Sequence, residues 1–175
     1  MRNNENVKQT FKNCGTCSQT FAHLLNREFG QPLEMEEVAI DPLAGGLLNQ
    51  GHQCGILWGA ILATGAEASR RYDSIDEAIA VTISASQHVV HSFLNTTNTV
   101  NCREITGYKL NTFLGMVGYI IKTLSKGMMN SPCFNLAEEW APDAINSASK
   151  GLDQPHIHLT CQPVSCASLV AQKMG

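Results

Sequence analysis

The sequence predicts an all-α fold, a compact bundle of about five to six helices with an irregular C-terminal tail. Three observations lead there. Apolar residues recur at helical spacing in one segment after another. Clusters of Gly, Pro, Asn and Ser separate those segments. Alternating apolar and polar residues, the mark of a half-buried strand, are confined to one weak candidate at 157–160. With 175 residues, the chain is long enough for one domain with a sizeable core.

Residues 1–13 are polar and read as an N-terminal arm or a short helical lead. A helical, cysteine-rich domain covers 14–150, and 151–175 form the tail. Cys17-Ser18-Gln19 opens a helix with Phe21, Leu24, Leu25 and Phe29 on one face, stopped by Gly30 and Pro32. A second helix over 32–43 begins with Glu34, Glu36 and Glu37, whose charges suit a helix N-terminus. Ala44-Gly45-Gly46 then starts a flexible loop.

The central helix runs from Cys54 to near Ser69, with Leu57, Trp58, Ile61, Leu62 and Gly65 on one stripe. Gly55, Gly59 and Ala63 form a second row, spaced by four. Each Gly costs about 1 kcal/mol of helix propensity relative to Ala. Close approach of another helix accounts for that cost. Ser74 or Asp73 caps a fourth helix, whose buried face is read as Ile75, Ile79, Ile83, Val90, Phe93 and Leu94. A short element starts at Asn101-Cys102 and ends near Gly107. A fifth helical pattern covers 108–126, interrupted by Gly115 and Gly118. A sixth begins at Cys133 and carries Leu136, Ala137, Trp140 and Ile145, with Pro142 expected to kink or split it.

Composition narrows the function. Charged residues make up only 15% of the chain, low for a soluble domain, which points to surface buried in a homodimer. The net charge of −3 and the lack of a basic block argue against nucleic acid as a partner. No apolar run reaches membrane-spanning length, and residues 1–6 lack the form of a signal peptide. A cytoplasmic location is therefore expected, where structural disulfides are uncommon. Seven cysteines, an odd number, then suit metal ligation or redox chemistry better than a disulfide framework.

Four of them, Cys17, Cys54, Cys102 and Cys133, share a placement: each follows a polar or turn-forming stretch and precedes an apolar-periodic one. Four thiolates at converging helix starts would satisfy a tetrahedral zinc ion. They would equally satisfy an iron–sulfur cluster, 2Fe–2S or 4Fe–4S. Unpaired N–H groups at a helix start should also favour the thiolate form of Cys54.

The same residues resemble a known family. Cys17-Ser18-Gln19, Gly45-Gly46 leading to Cys54-Gly55-Ile56-Leu57-Trp58-Gly59-Ala60, Asn101-Cys102-Arg103-Glu104 and Cys133 ahead of Ala137 look like the four-cysteine pattern of the C_GCAxxG_C_C redox family, related to the C-terminal part of split-Soret cytochromes. The likeness covers about residues 14–148. It implies a small helical protein with a redox or iron–sulfur role. Ile56 stands where the family motif has alanine, the 108–130 segment looks longer than usual, and Cys14, Cys161 and Cys166 are additional.

The expected function is thus iron–sulfur electron transfer with a redox partner protein, the cluster held by Cys17, Cys54, Cys102 and Cys133. Two alternatives stand beside it. One is a thiol–disulfide oxidoreductase using the Cys14-Gly15-Thr16-Cys17 pair. The other is a structural zinc protein. Cys14, Cys161, Cys166 and His52 are additional candidates for metal or redox roles, with His156 and His158 near the tail pair. His88 and His91, three apart, and Glu138-Glu139 read as solvated helix faces. No Ser/His/Asp arrangement marks catalytic residues.

Overall fold

The computed structural model describes residues 6–153. They form helices α1 (Val7–Cys14), α2 (Cys17–Glu28), α3 (Glu34–Ala39), α4 (Gly55–Arg71), α5 (Ile75–Thr97), α6 (Cys102–Thr106), α7 (Phe113–Lys126) and α8 (Pro132–Asp153). The class is all-α, as the periodicity predicts. Among the described residues, β-pairing is limited to an isolated antiparallel bridge between Gln53 and Asn101. No described helix is long and apolar enough to cross a membrane.

Four long helices make the bundle. Helix α2 packs on α4, α4 on α5 and α5 on α8, while α8 also meets α2 and α4. Trp140 of α8 is fully buried at the centre. Its ring stacks on Phe21 at 5.1 Å and meets Phe93 edge-on at 4.7 Å. Its indole N–H donates to Ser92 Oγ at 3.1 Å, so the core tolerates the polar atom. Burying each such side chain is worth roughly 2–3 kcal/mol.

Small residues set how closely the helices approach. A Cβ on Gly59 of α4 would lie 2.2 Å from the Ser18 carbonyl oxygen of α2. One on Gly151 of α8 would lie 2.5 Å from Ala85 Cα of α5. The row Gly55, Gly59, Ala63 is therefore the tightly packed face that its spacing suggests, and Leu62 of the other stripe is 39% exposed. The same tightness corrects the expected face of α5. Ile75 and Ile79 are 77% and 44% exposed, and the buried row is Ala78, Val81, Ala85, Val89 and Phe93. At these interhelical separations a small residue fits where isoleucine would not.

At the N-terminus the helical-lead reading holds, and further on other elements depart from expectation. The N-terminal lead becomes α1, capped by the Asn6 side chain, with Val7 and Phe11 buried and Phe11 stacked on Phe134 at 4.2 Å. The expected 32–43 helix is shorter. Helix α3 gives way to a 3-10 turn, Asp41–Leu43, where Pro42 has no N–H to continue the α ladder. Buried Glu37 ties α3 to α2 by accepting from His23 Nδ1 at 2.9 Å. Helix α8 runs through Pro142 without a break. Pro142 is exposed, so the carbonyl it cannot bond faces water. Helix α7 starts at Phe113, where the Thr112 hydroxyl accepts from Gly115 N–H at 3.2 Å, and it packs on the turn Met128–Asn130. The 157–160 strand candidate, Cys161, Cys166, His156 and His158 lie outside the described residues.

Candidate metal centre

Each of the four pattern cysteines sits at a helix start. Cys17 is the first residue of α2, Cys54 the N-cap of α4, Cys102 the first residue of α6 and Cys133 the second of α8. Cys17, Cys54 and Cys102 are buried and Cys133 is partly exposed. None of the four is in a disulfide. Ionising any one of them is opposed by the others: Cys54 is coupled to Cys17, Cys133 and Cys102, Cys17 to Cys133, and Cys102 to both Cys17 and Cys133. The fold thus brings the four near enough to couple, with Cys17 against the first turn of α4 and Cys102 against Gly46.

The loop before α4 builds one wall. Gly45, Gly46, Leu47, Leu48 and Asn49 all have φ between +48° and +70°, a left-handed turn that costs each non-glycine residue about 1–2 kcal/mol. It closes with Gly51 N–H on Gly45 O and His52 N–H on Gly46 O, both at 3.0 Å. Gly46 is then so close that a Cβ would lie 2.9 Å from Cys102 Cβ, and one on Gly55 would lie 2.7 Å from Cys17 Sγ. The Gln53–Asn101 bridge fixes the next pair. Cys54 N–H donates to Val100 O at 2.8 Å and Cys102 N–H to His52 O at 2.6 Å. His52 thus serves through its backbone, and its side chain is exposed.

Donors point at the sulfurs. Backbone N–H groups of Gly45, Ser18 and Cys17 face Cys17 Sγ, and that of Ile56 faces Cys54 Sγ. The Tyr119 hydroxyl of α7 donates to Cys133 Sγ at 3.6 Å. Its phenol is raised above its ordinary range by burial and by Cys133, so it stays a donor. Tyr119 was invisible to sequence reasoning, because nothing local links it to a cysteine fourteen residues on.

Burial reverses one expectation. Instead of favouring the thiolate, it pushes Cys17 up to about 12 and Cys102 and Cys133 up to about 11, with mutual repulsion adding to the rise. Cys54 also rises well above its ordinary value, from burial first and its three neighbours next. The helix-start N–H groups oppose this but do not outweigh it. Without a cation among them, the four are neutral thiols at neutral pH.

A family description, "Putative redox-active protein (C_GCAxxG_C_C)", matches residues 15–172. The chain belongs to this family. Comparison with curated proteins and with solved structures gives no match. In this C_GCAxxG_C_C protein, Ile56 is fully buried in the first turn of α4. Cys14 closes α1 and is partly exposed. His88, His91, Glu138 and Glu139 are all on exposed faces. Among the described residues, no group of three or more His, Cys, Asp or Glu side chains is arranged to hold a metal ion.

Raised thiol values carry a sign for stability. In the metal-free protein the folded state holds its thiol protons above pH 9, where the unfolded chain has released them. The stabilisation is complete below about pH 9 and is lost as pH climbs towards 11–12. Urea midpoints of the metal-free protein are therefore expected to fall steeply from pH 8 to about 10.5. A flat profile over that interval would contradict the buried-thiol description.

Proposed function

We propose that this chain is an iron–sulfur electron-transfer protein whose cluster, 2Fe–2S or 4Fe–4S, is held by Cys17, Cys54, Cys102 and Cys133. The observation that carries the reading is the gathering of four mutually interacting sulfurs from four separate helix starts. The donor set fits the group: four soft ligands, mostly buried, with N–H and O–H donors already aimed at sulfur. When bound, a cluster supplies a one-electron couple. The chain's own part is ligation, low dielectric and hydrogen bonding that stabilises added negative charge, which raises the potential.

Two alternatives stand beside this reading. A zinc ion with bonds of about 2.3 Å draws its thiolates to within about 4 Å of one another. No group of described side chains is already spaced to hold a metal ion, so the thiols would have to draw together around zinc and around a cluster alike. Disulfide exchange needs one attacking thiolate; burial pushes Cys17 up, which gives that part to the more exposed Cys14. The reading includes a cytoplasmic location, a redox partner protein and a homodimer. Exposed Phe113, Leu114 and Leu124 on α7 supply apolar surface for such contacts.

A potentiometric titration without oxygen tests the function. A reversible one-electron wave that tracks visible absorbance is expected. Thiols that cycle in pairs with no visible change would support disulfide chemistry instead.

A further inference from the structure

Beside Cys133 lies a half-open cavity of about 150 Å³, between α7 and the start of α8. A space of that size takes a molecule of about six non-hydrogen atoms. Tyr108, Tyr119, Lys122, Thr123, Ser131 and Asn135 line it, and among the described residues no Asp or Glu does. Lys122 Nζ stands 5.5 Å from the centre of the Tyr108 ring, and that ring meets Tyr119 edge-on at 5.7 Å. Thr123 Oγ1 is buried with no hydrogen bond of good geometry. The Asn135 amide is already engaged by Lys8 and by the Asn130 carbonyl. Among the described residues, what faces the space is therefore one ammonium, hydroxyl groups and the Ser131-capped start of α8.

We infer that this cavity binds a small oxygen-bearing anion, a carboxylate or an inorganic oxyanion. Lys122 supplies the charge, and the buried Thr123 hydroxyl beside Tyr119 supplies a hydrogen bond, while Ser131 is engaged by the Phe134 N–H and by Tyr119. Lysine offers three donors and no acceptor, so it selects for acceptor-rich ligands. The Tyr119 hydroxyl lines the cavity and also reaches Cys133 Sγ, placing the ligand one side chain away from the sulfur. The inference takes only that adjacency from the cluster reading, and the pocket stands or falls by itself.

Isothermal titration of the full-length protein with sodium acetate, sodium phosphate and neutral acetamide is the test. One acetate or phosphate is expected to bind per chain, with no heat from acetamide. Lys122→Met should weaken anion binding by about tenfold or more, with helicity by circular dichroism unchanged. Lys150→Met, on the far end of α8, should bind as the parent does. Failure of both anions to bind, or equal binding by Lys122→Met, would overturn the inference. Equal heat from acetamide would do the same. Iron and sulfide measured on the same samples separate the two readings. Anion binding without iron keeps the pocket and sinks the cluster; iron without anion binding does the reverse.

Discussion

Cys54→Ala is expected to leave a helical protein that holds less than about a tenth of the parent's iron and sulfide after reconstitution. Cys54 is coupled to each of the other three sulfurs, and burial raises its thiol well above its ordinary value in company with them. It also sits where the Ile56 N–H and the Val100 carbonyl fix both its sulfur and its backbone. Alanine preserves the backbone hydrogen bond and the start of α4 while deleting the sulfur. Fold and ligation are thereby separated. Cys14→Ala is the comparison. Cys14 lies at the far end of α1 rather than at a helix start, and its loss should leave iron content within error of the parent. Iron analysis with far-ultraviolet circular dichroism reads both. Full iron content in Cys54→Ala would remove Cys54 from the ligand set.

Gly59→Val is expected to destabilise the protein by about 3 kcal/mol or more. A β-carbon there would lie 2.2 Å from the Ser18 carbonyl oxygen, with Ala22 N and Phe21 Cβ each at 3.1 Å. The obstacle is backbone, so no rotamer change relieves it, and α2 must move away from α4. A loss of this size is a large share of the roughly 5–15 kcal/mol that holds a domain together. The consequence reaches the centre, because α2 carries Cys17 and α4 carries Cys54. Urea denaturation gives the stability. A midpoint equal to the parent's would mean that the two helices are not in contact at Gly59.

Much of this was legible in the sequence because helix starts leave a signature. A polar or turn-forming stretch ahead of an apolar-periodic one marked the positions of Cys17, Cys54, Cys102 and Cys133, and the helices begin at or next to each of them. The Gly55, Gly59, Ala63 row was equally readable, since glycines inside a helix need a packing reason. The face of α5 was not. Periodicity counts apolar residues but does not know that α4 and α8 come close enough to prefer Ala78 and Ala85 over Ile75 and Ile79. Nor could it see that burial would outweigh the helix dipole at Cys54, because burial depends on what packs from other elements. Leu47 and Leu48 in a left-handed turn are also unreadable from composition. Leucine has no preference for that conformation, and the surrounding hydrogen bonds impose it.

Chemical analysis of the protein purified without oxygen bears most directly on the four gathered cysteines. Iron and acid-labile sulfide in equal amounts, with broad visible absorption that bleaches on reduction, is the outcome expected of a cluster held by Cys17, Cys54, Cys102 and Cys133. A colourless protein that takes up no sulfide on reconstitution, or that carries one zinc per chain, would contradict it.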